Sequence, residues 1–333
     1  MSARLRPAPR ARRGVALIAA LWLVIAIATV ALQLSLDAHE RRALGLSASE
    51  RGIEQAAANG ALALVQAKLE QALRTTPSGT GAAVMRASDP WLGVDSIYSG
   101  EWSVDSMPVD VRIRDLGAQL NVNLMSETQL RTFFNWILKD DLTANKITQC
   151  ILDWRDVDSI PRPSGAERDQ YIRDERLALP ANAPFREVSD MLDVENMTPD
   201  IYAKTAPFLR TRGSAAVNVN TAPEAVLRAL PGMTDQIILM ILSGRSQGRR
   251  INSIAEIIPQ AAAPRGGRGG GGGPNAAYTQ LQAQLSTVAT VMTTQIELTM
   301  SARVGPQAQP ARLIADITRP ANGTTTNVTY RQW

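Results

Sequence analysis

At 333 residues and 45% hydrophobic content, the chain is long enough for one or two packed domains, and an aromatic content of only 5% points to an Ala/Leu-rich helical core. The net charge of +4 is misleading. Five of the 35 basic residues are Arg4, Arg6, Arg10, Arg12 and Arg13, which leaves 30 basic against 31 acidic residues, a net charge of −1, for the rest. That balance argues against a broadly basic nucleic-acid-binding face. A single histidine, His39, excludes a two-histidine metal centre, and a single cysteine, Cys150, excludes an intrachain disulfide.

In chain order, the basic leader is followed by 22 residues, Val15–Leu36, with no charge and only Thr29, Gln33 and Ser35 polar. At about 1.5 Å per residue this spans a hydrocarbon core of about 30 Å. Arginines before it and Asp37 and Glu40 after it imply a cytoplasmic N-terminus. A cleaved secretory signal would have a shorter apolar stretch. Leu44, Ile53, Leu62, Val65, Leu69 and Leu73 continue the helical period, which predicts one helix from Val15 to about Arg74, weakened at Gly45, Gly52 and Gly60 and ended by Pro77-Ser78-Gly79. Residues 77–98 read as irregular.

In "EWSVDSMPVDVRIRDLG", Val109, Val111 and Ile113 alternate with polar residues and predict a strand. Residues 120 to about 285 read as mostly helical. "LNVNLMSETQLRTFF" and "VNVNTAPEAVLRALPG" share Asn-Val-Asn, then Glu and Leu-Arg, 97 positions apart. Each opens a predicted helix hairpin, with Ser126, Thr143, Pro223 and Thr234 at helix starts. Two copies amount to an internal duplication, not a solenoid. "REVSDML" reads as a further helix, and residues 261–274 as a flexible Gly-rich insert. "TTQIELTMSARV", "ARLIADITR" and "NVTYRQW" return to strand, with Asn322-Gly323 as a turn. The simplest topology is one sheet packed on the first helix, with the helical block inserted into it.

The Leu-Pro-Gly turn of the second hairpin raises the question of DNA binding. Phosphate-binding hairpins present backbone N–H groups from a Pro-Gly-x-Gly turn. Here Pro231-Gly232-Met233-Thr234 lacks the second glycine and Asp235 follows, so packing by Val226, Leu227, Leu230, Ile237, Ile238, Ile241 and Leu242 is the expected role. Asn121, Asn123, Asn218 and Asn220 are expected to stabilise the turns before the helices. The best candidate site is acidic. Asp153, Asp156, Asp158 and Glu167 fall within 15 residues, a density of hard oxygen ligands that suits Ca²⁺. Asp174 or Glu175 could add a ligand. Ile160 and Pro161 depart from an EF-hand loop, and a solvated loop paired to Arg155, Arg162 and Arg173 is the competing reading.

"RRGVALIAALWLVIA" resembles the leader of type IV pilins and pseudopilins. "ILDWRDVDSIPRPSGAERDQY", "NAPFREVSDMLDVENMTPDIYAKTAPFL" and "VNVNTAPEAVLRALPGM", in that order, are similar to the type II secretion minor pseudopilin K family (general secretion pathway protein K, GspK). The resemblance implies an α+β, type IV pilin-like fold, a long N-terminal helix packed on an antiparallel sheet, with a large inserted all-helical domain. The corresponding division is a leader at 1–14, a transmembrane half-helix at 15–36, a pilin-like domain at 37–119 and 286–333, and the insert at 120–285. It also implies cleavage by prepilin peptidase after Gly14, methylation of Val15, and Ca²⁺ binding in the insert, which falls on Asp153, Asp156, Asp158 and Glu167. Arg168 stands where relatives often carry another acid.

The fifth mature position is Ala19, where most pilins carry Glu. Its absence fits a subunit with nothing above it, and equally a plain signal anchor. The expected role is a non-enzymatic minor pseudopilin at the tip of the secretion pseudopilus, held in the inner membrane with its C-terminal domain in the periplasm. Minor pseudopilins of classes I and J are the expected partners, and nucleic acid is not. The alternatives are a membrane-anchored metal-dependent periplasmic hydrolase and a helix-hairpin-helix nucleic-acid receptor.

Overall fold

The computed structural model describes residues 13–75, 89, 91, 93–258, 276–305, 309–319 and 324–332, apart from the side chains of 13–20, 26, 31, 34–48, 75, 276–279, 330 and 332. The sequence stretches at 77–88, 261–274 and Asn322-Gly323 lie outside the described residues. A first helix, α1, runs Arg13–Thr75. Gly14 and Val15 lie in its first turn. Leu21–Ile25, Ile27, Val30 and Leu32 are all exposed. Among the described residues no helix is long and apolar enough to cross a membrane; half of the side chains of the expected span, Val15–Leu36, are not among them.

Beyond α1 comes a one-turn helix, α2 (Val94–Tyr98), in a stretch the sequence reads as irregular. Just before it, Trp91 is fully buried and donates its indole N–H to the Leu69 carbonyl of α1 at 3.4 Å. The predicted strand is in fact a hairpin, β1 (Gly100–Val104) and β2 (Met107–Asp115), turned at Asp105 and Ser106 with φ of 48° and 68°. Two left-handed residues in a two-residue loop match the strand twist; without a glycine the sequence hides the turn.

A helical block follows: β3 (Leu120–Asn121), α3 (Glu127–Leu138), α4 (Asp141–Arg155), α5 (Arg168–Arg173), α6 (Pro199–Thr205), β4 (Leu209–Arg210), β5 (Val217–Asn218), α7 (Glu224–Arg228), α8 (Asp235–Ser246), α9 (Ala276–Val288) and β6 (Ala289–Thr290). The chain then completes the sheet with β7 (Gln295–Ala302), β8 (Ala311–Thr318) and β9 (Asn327–Gln332). The sheet is antiparallel, in the order β1-β2-β7-β8-β9. Neighbouring strands β2 and β7 are therefore separated in sequence by the whole helical block.

The sheet packs on α1 through one stripe. Ala58, Ala61, Leu62, Val65 and Leu69 meet Val109, Val111, Ile113, Leu298, Met300, Leu313 and Ala315. The spacing of three to four residues on the helix and two on the strands is what lets both faces become apolar. Ile53, expected in this stripe, is half exposed; its turn instead buries Glu54, which accepts a bond from the Val304 N–H at 2.9 Å. Gly60 has a packing role. A Cβ there would stand 2.6 Å from Val104 Cγ1, so the glycine lets β1 approach the helix.

The helical block has its own core, in which Val226, Leu227, Leu230, Ile237, Ile238 and Ile241 are buried and Leu242 is partly so, as their spacing predicts. Ser126 caps α3 through a reciprocal bond with Gln129, and Thr234 caps α8. Helix α4 starts earlier than expected: Asp140 is its cap, and Thr143 donates its hydroxyl to Asp140 Oδ2 at 2.6 Å. "REVSDML" forms a 3-10 helix, Val188–Asp193, not an α-helix. At Asp115 the block meets the sheet. Its carboxylate accepts from Gly117 N–H, Asn218 Nδ2, Thr221 Oγ1 and Thr293 Oγ1 at 2.6–3.1 Å. Arg212 binds Asp316 of β8 and Glu297 of β7 nearby.

The 97-residue repeat is real in three dimensions. In the first copy β3 runs parallel to β4; in the second β5 runs parallel to β6. Val122 N–H bonds the Arg210 carbonyl, and Val219 N–H that of Thr290, each at 2.9 Å. Asn121 and Asn218 accept from Asn123 and Asn220 N–H, the local turns expected. The outer asparagines reach much further. Asn123 clamps Phe185 through both its N–H and carbonyl and also bonds the Thr211 carbonyl. Asn220 does the same to Ile251 and Val291. Arg155 donates to the carbonyls of Val122 and Met125, and Arg245 to those of Val219 and Ala222. Thirty residues separate Arg155 from Phe185, but six separate Arg245 from Ile251. The acidic stretch is extra length spliced into the first copy.

Candidate metal centre

That extra length begins where α4 ends. Asp156 is the C-cap residue of α4 with extended backbone, and Glu167 is the residue before α5. The loop between them folds back so that one carboxylate oxygen each from Asp156, Asp158 and Glu167 lie within 4.8 Å of one another. Glu167 is 5% exposed. Among the described residues neither of its oxygens has a hydrogen-bond partner, nor does Oδ1 of Asp156. Burial first, and then the neighbouring charges of Asp153, Asp156 and Asp158, push the Glu167 carboxyl above the ordinary range.

Asp153 does not join them. It is fully buried, and Arg162 takes both of its oxygens: Nη1 donates to Oδ1 at 2.6 Å and the backbone N–H to Oδ2 at 3.1 Å. Burial pushes its carboxyl up as well, against the pull of Arg162. A Cβ at Gly165 would stand 1.9 Å from Asp153 Oδ2, so glycine is required for the loop to close over this aspartate. The same guanidinium reaches Asp156 Oδ2 at 2.6 Å. Asp153 thus positions the arginine that orients Asp156. The expected set of four contracts to three because the buried residue at the end of α4 is already satisfied.

Of the expected salt bridges, only that to Arg162 forms within the loop. Arg155 is drawn to backbone carbonyls of the first repeat, and Arg173 donates to Gln170. Asp174 accepts from Gln170, and Glu175 is exposed with φ of 53°; neither belongs to the cluster.

Whether a cation fits can be judged from the orphaned oxygens. Buried carboxylate oxygens without donors are costly, and here three of them face a third carboxylate. A hard divalent cation removes both the desolvation cost and the repulsion. Asp156 Oδ2 is committed to Arg162 and Asp158 Oδ1 to the Ile160 N–H. Four oxygens remain: Asp156 Oδ1, Asp158 Oδ2 and both of Glu167. All are hard donors, and no nitrogen or sulfur stands among them, which suits Ca²⁺. Arg162 and Gly165 are the positioning residues that sequence reasoning missed as a pair. "RPSG" does stand between the acids, but nothing local says which carboxylate the arginine takes.

The second hairpin shows no comparable opening for an anion. Gly232 has φ of 71°, and a Cβ there would stand 2.2 Å from Leu281 Cδ1 of α9. Its turn is packed against a helix.

A long helix, an antiparallel sheet and a helical block carrying a carboxylate cluster define a mixed helix and antiparallel-sheet protein. Residues 113–212 match the family profile described as type II secretion system (T2SS), protein K. Type II secretion system protein K of Pseudomonas aeruginosa PAO1 is 28% identical over 246 residues, covering 69% of this chain and 72% of its own. The protein of the same name from Pectobacterium carotovorum subsp. carotovorum is 26% identical over 239 residues, 64% of this chain and 67% of its own. The fold is similar to that of a chain in the crystal structure of the GspK-GspI-GspJ complex from enterotoxigenic Escherichia coli, with a TM-score of 0.52 at 17% identity over 81% of this chain and 98% of that one. The chain is thus similar, over about two thirds of its length, to proteins named type II secretion system protein K.

Proposed function

We propose that the protein is a minor pseudopilin of the type II secretion system, a structural subunit that starts or caps the pseudopilus from its tip. The observation that carries this is the position of the helical block, between strands β2 and β7 that are neighbours in the sheet. The fold then reads as pilin-like, α1 on an antiparallel sheet, with a large insertion that makes the head too bulky for another subunit to follow. Val15–Leu36 serves as the inner-membrane anchor and then as the packing helix among its neighbours; its uncharged run and the exposed apolar side chains from Leu21 to Leu32 support this. Prepilin peptidase cuts after Gly14 and Val15 is methylated. Ala19 suits a subunit with no ammonium group above it to pair. By analogy with the complex named above, subunits of the I and J classes are its partners.

Calcium belongs to the same reading. Asp156, Asp158 and Glu167 hold it, with Asp153 and Arg162 behind them, and the ion supplies the charge that keeps the loop folded. N-terminal sequencing of protein made with and without prepilin peptidase tests the pseudopilin assignment. The mature chain should begin at Val15 only when the peptidase is present; an unprocessed chain in both cases would refute it.

A further inference from the structure

We infer that the coordination of this cation is completed from outside: a carboxylate of an acidic peptide segment enters the cleft beside it, reaching the metal and Arg168 and Arg173 together. This rests on the calcium reading above. Calcium takes about 6–8 oxygens, whereas the loop leaves four uncommitted. Glu167, one of the three ligands, is 95% buried with both oxygens unpartnered, and it also lines a cleft of about 460 Å³ with Ser159, Pro161, Arg168, Asp169 and Arg173. The metal site and the cleft therefore share a wall. Arg168 and Arg173 are exposed, and among the described residues neither makes an ion pair. Guanidiniums with free donors beside a coordinatively unsaturated hard cation are a receptor for a carboxylate.

Charge balance makes the occupant conditional on the metal. Around the cleft stand Asp153, Asp156, Asp158, Glu167 and Asp169 against Arg162, Arg168 and Arg173. Without metal the excess is negative and repels an anion. A divalent cation cancels it, leaving the arginines free to attract. The rim adds apolar contact, since Val157 is 90% and Ile160 75% exposed on either side of Asp158. An acidic segment with apolar neighbours fits this rim better than a free anion.

Full-length protein in detergent, loaded with Eu³⁺ in place of calcium, provides the test. Luminescence lifetimes in H₂O and D₂O count the waters on the ion. Adding a tri-aspartate peptide should remove about two of them, whereas tri-asparagine should remove none. By calorimetry the peptide should bind the calcium-loaded protein at least about tenfold more tightly than protein in chelator, as reciprocal linkage demands. The double variant Arg168→Ala, Arg173→Ala, altered only at exposed positions, should lose that binding at unchanged Eu³⁺ affinity. Lifetimes indifferent to the peptide, or equal binding in chelator, would mean that water alone completes the ion and would overturn the inference. Failure of Eu³⁺ to bind at all is a different result, and it would remove the calcium reading itself.

Discussion

Glu167→Gln should stabilise the protein without calcium and destabilise it with calcium. Without metal, Glu167 has two oxygens unpartnered among the described residues, one of them within 4.8 Å of an oxygen of each of two further carboxylates. At an effective dielectric of ~20, a pair of unit charges at that separation repels by about 3.5 kcal/mol. Proton uptake and local rearrangement relieve most of it. Removing the charge should therefore gain about 1 kcal/mol, helped by an amide N–H₂ able to donate to the orphaned Asp156 Oδ1. Calcium at a hundredfold over its Kd stabilises the wild type by about 2.7 kcal/mol. At roughly 2–4 °C per kcal/mol for a body of this size, chelator should leave the variant a few degrees above the wild type. Saturating calcium should raise the wild type by roughly 5–10 °C and the variant by almost nothing. Near-ultraviolet circular dichroism melts of the full chain in detergent, with calcium or with chelator, read both effects. A variant that melts below the wild type in chelator, or that keeps the full calcium shift, would refute the assignment of Glu167 as the buried ligand.

Gly60→Ala sets a helix-propensity gain of about 1 kcal/mol against a Cβ 2.6 Å from Val104. Overpacking should win, costing roughly 1–3 kcal/mol, and an unchanged denaturant midpoint would remove the close approach of β1 to α1. Asn123→Ala and Asn220→Ala each strand an amide and two carbonyls, at about 2–4 kcal/mol. Hydrogen exchange should accelerate at Phe185 in the first and at Ile251 in the second; the reverse pattern, or none, would contradict the paired clamps. Glu70 accepts the N–H and hydroxyl of Thr326, and those bonds, with help from Arg74, hold its carboxyl below the ordinary value. A depressed carboxyl contributes stability that is present above its unfolded value and lost as pH falls through the folded one. Urea unfolding of Glu70→Gln should therefore lose less stability than the wild type between pH 6 and acid, within about two units below pH 4.3; identical slopes would show that the tie is absent.

Much of the architecture is legible from period alone. Val109, Val111 and Ile113 announce a half-buried strand, and Leu62, Val65 and Leu69 a helix stripe, because each pattern is the geometry of its own element. The hairpin turn at Asp105-Ser106 is not legible, since left-handed backbone without glycine leaves no mark in composition. Nor is the reach of Asn123 and Asn220, which look like local turn residues and are local through their neighbours only. Their long bonds depend on segments 62 and 31 residues away.

The acidic loop divides the same way. The sequence alone shows that carboxylates gather between Asp153 and Glu167, that the chain behind the basic N-terminal stretch carries almost no net charge, and that two related hairpins frame the block. Tertiary structure alone decided which carboxylates meet. Asp153 sits on the inward face of α4, where burial demands a partner, and Arg162 and the space left at Gly165 supply one. Glu167 is buried without any, and that difference between two acids of the same stretch is set by what folds over them, a quantity no local pattern of residues contains.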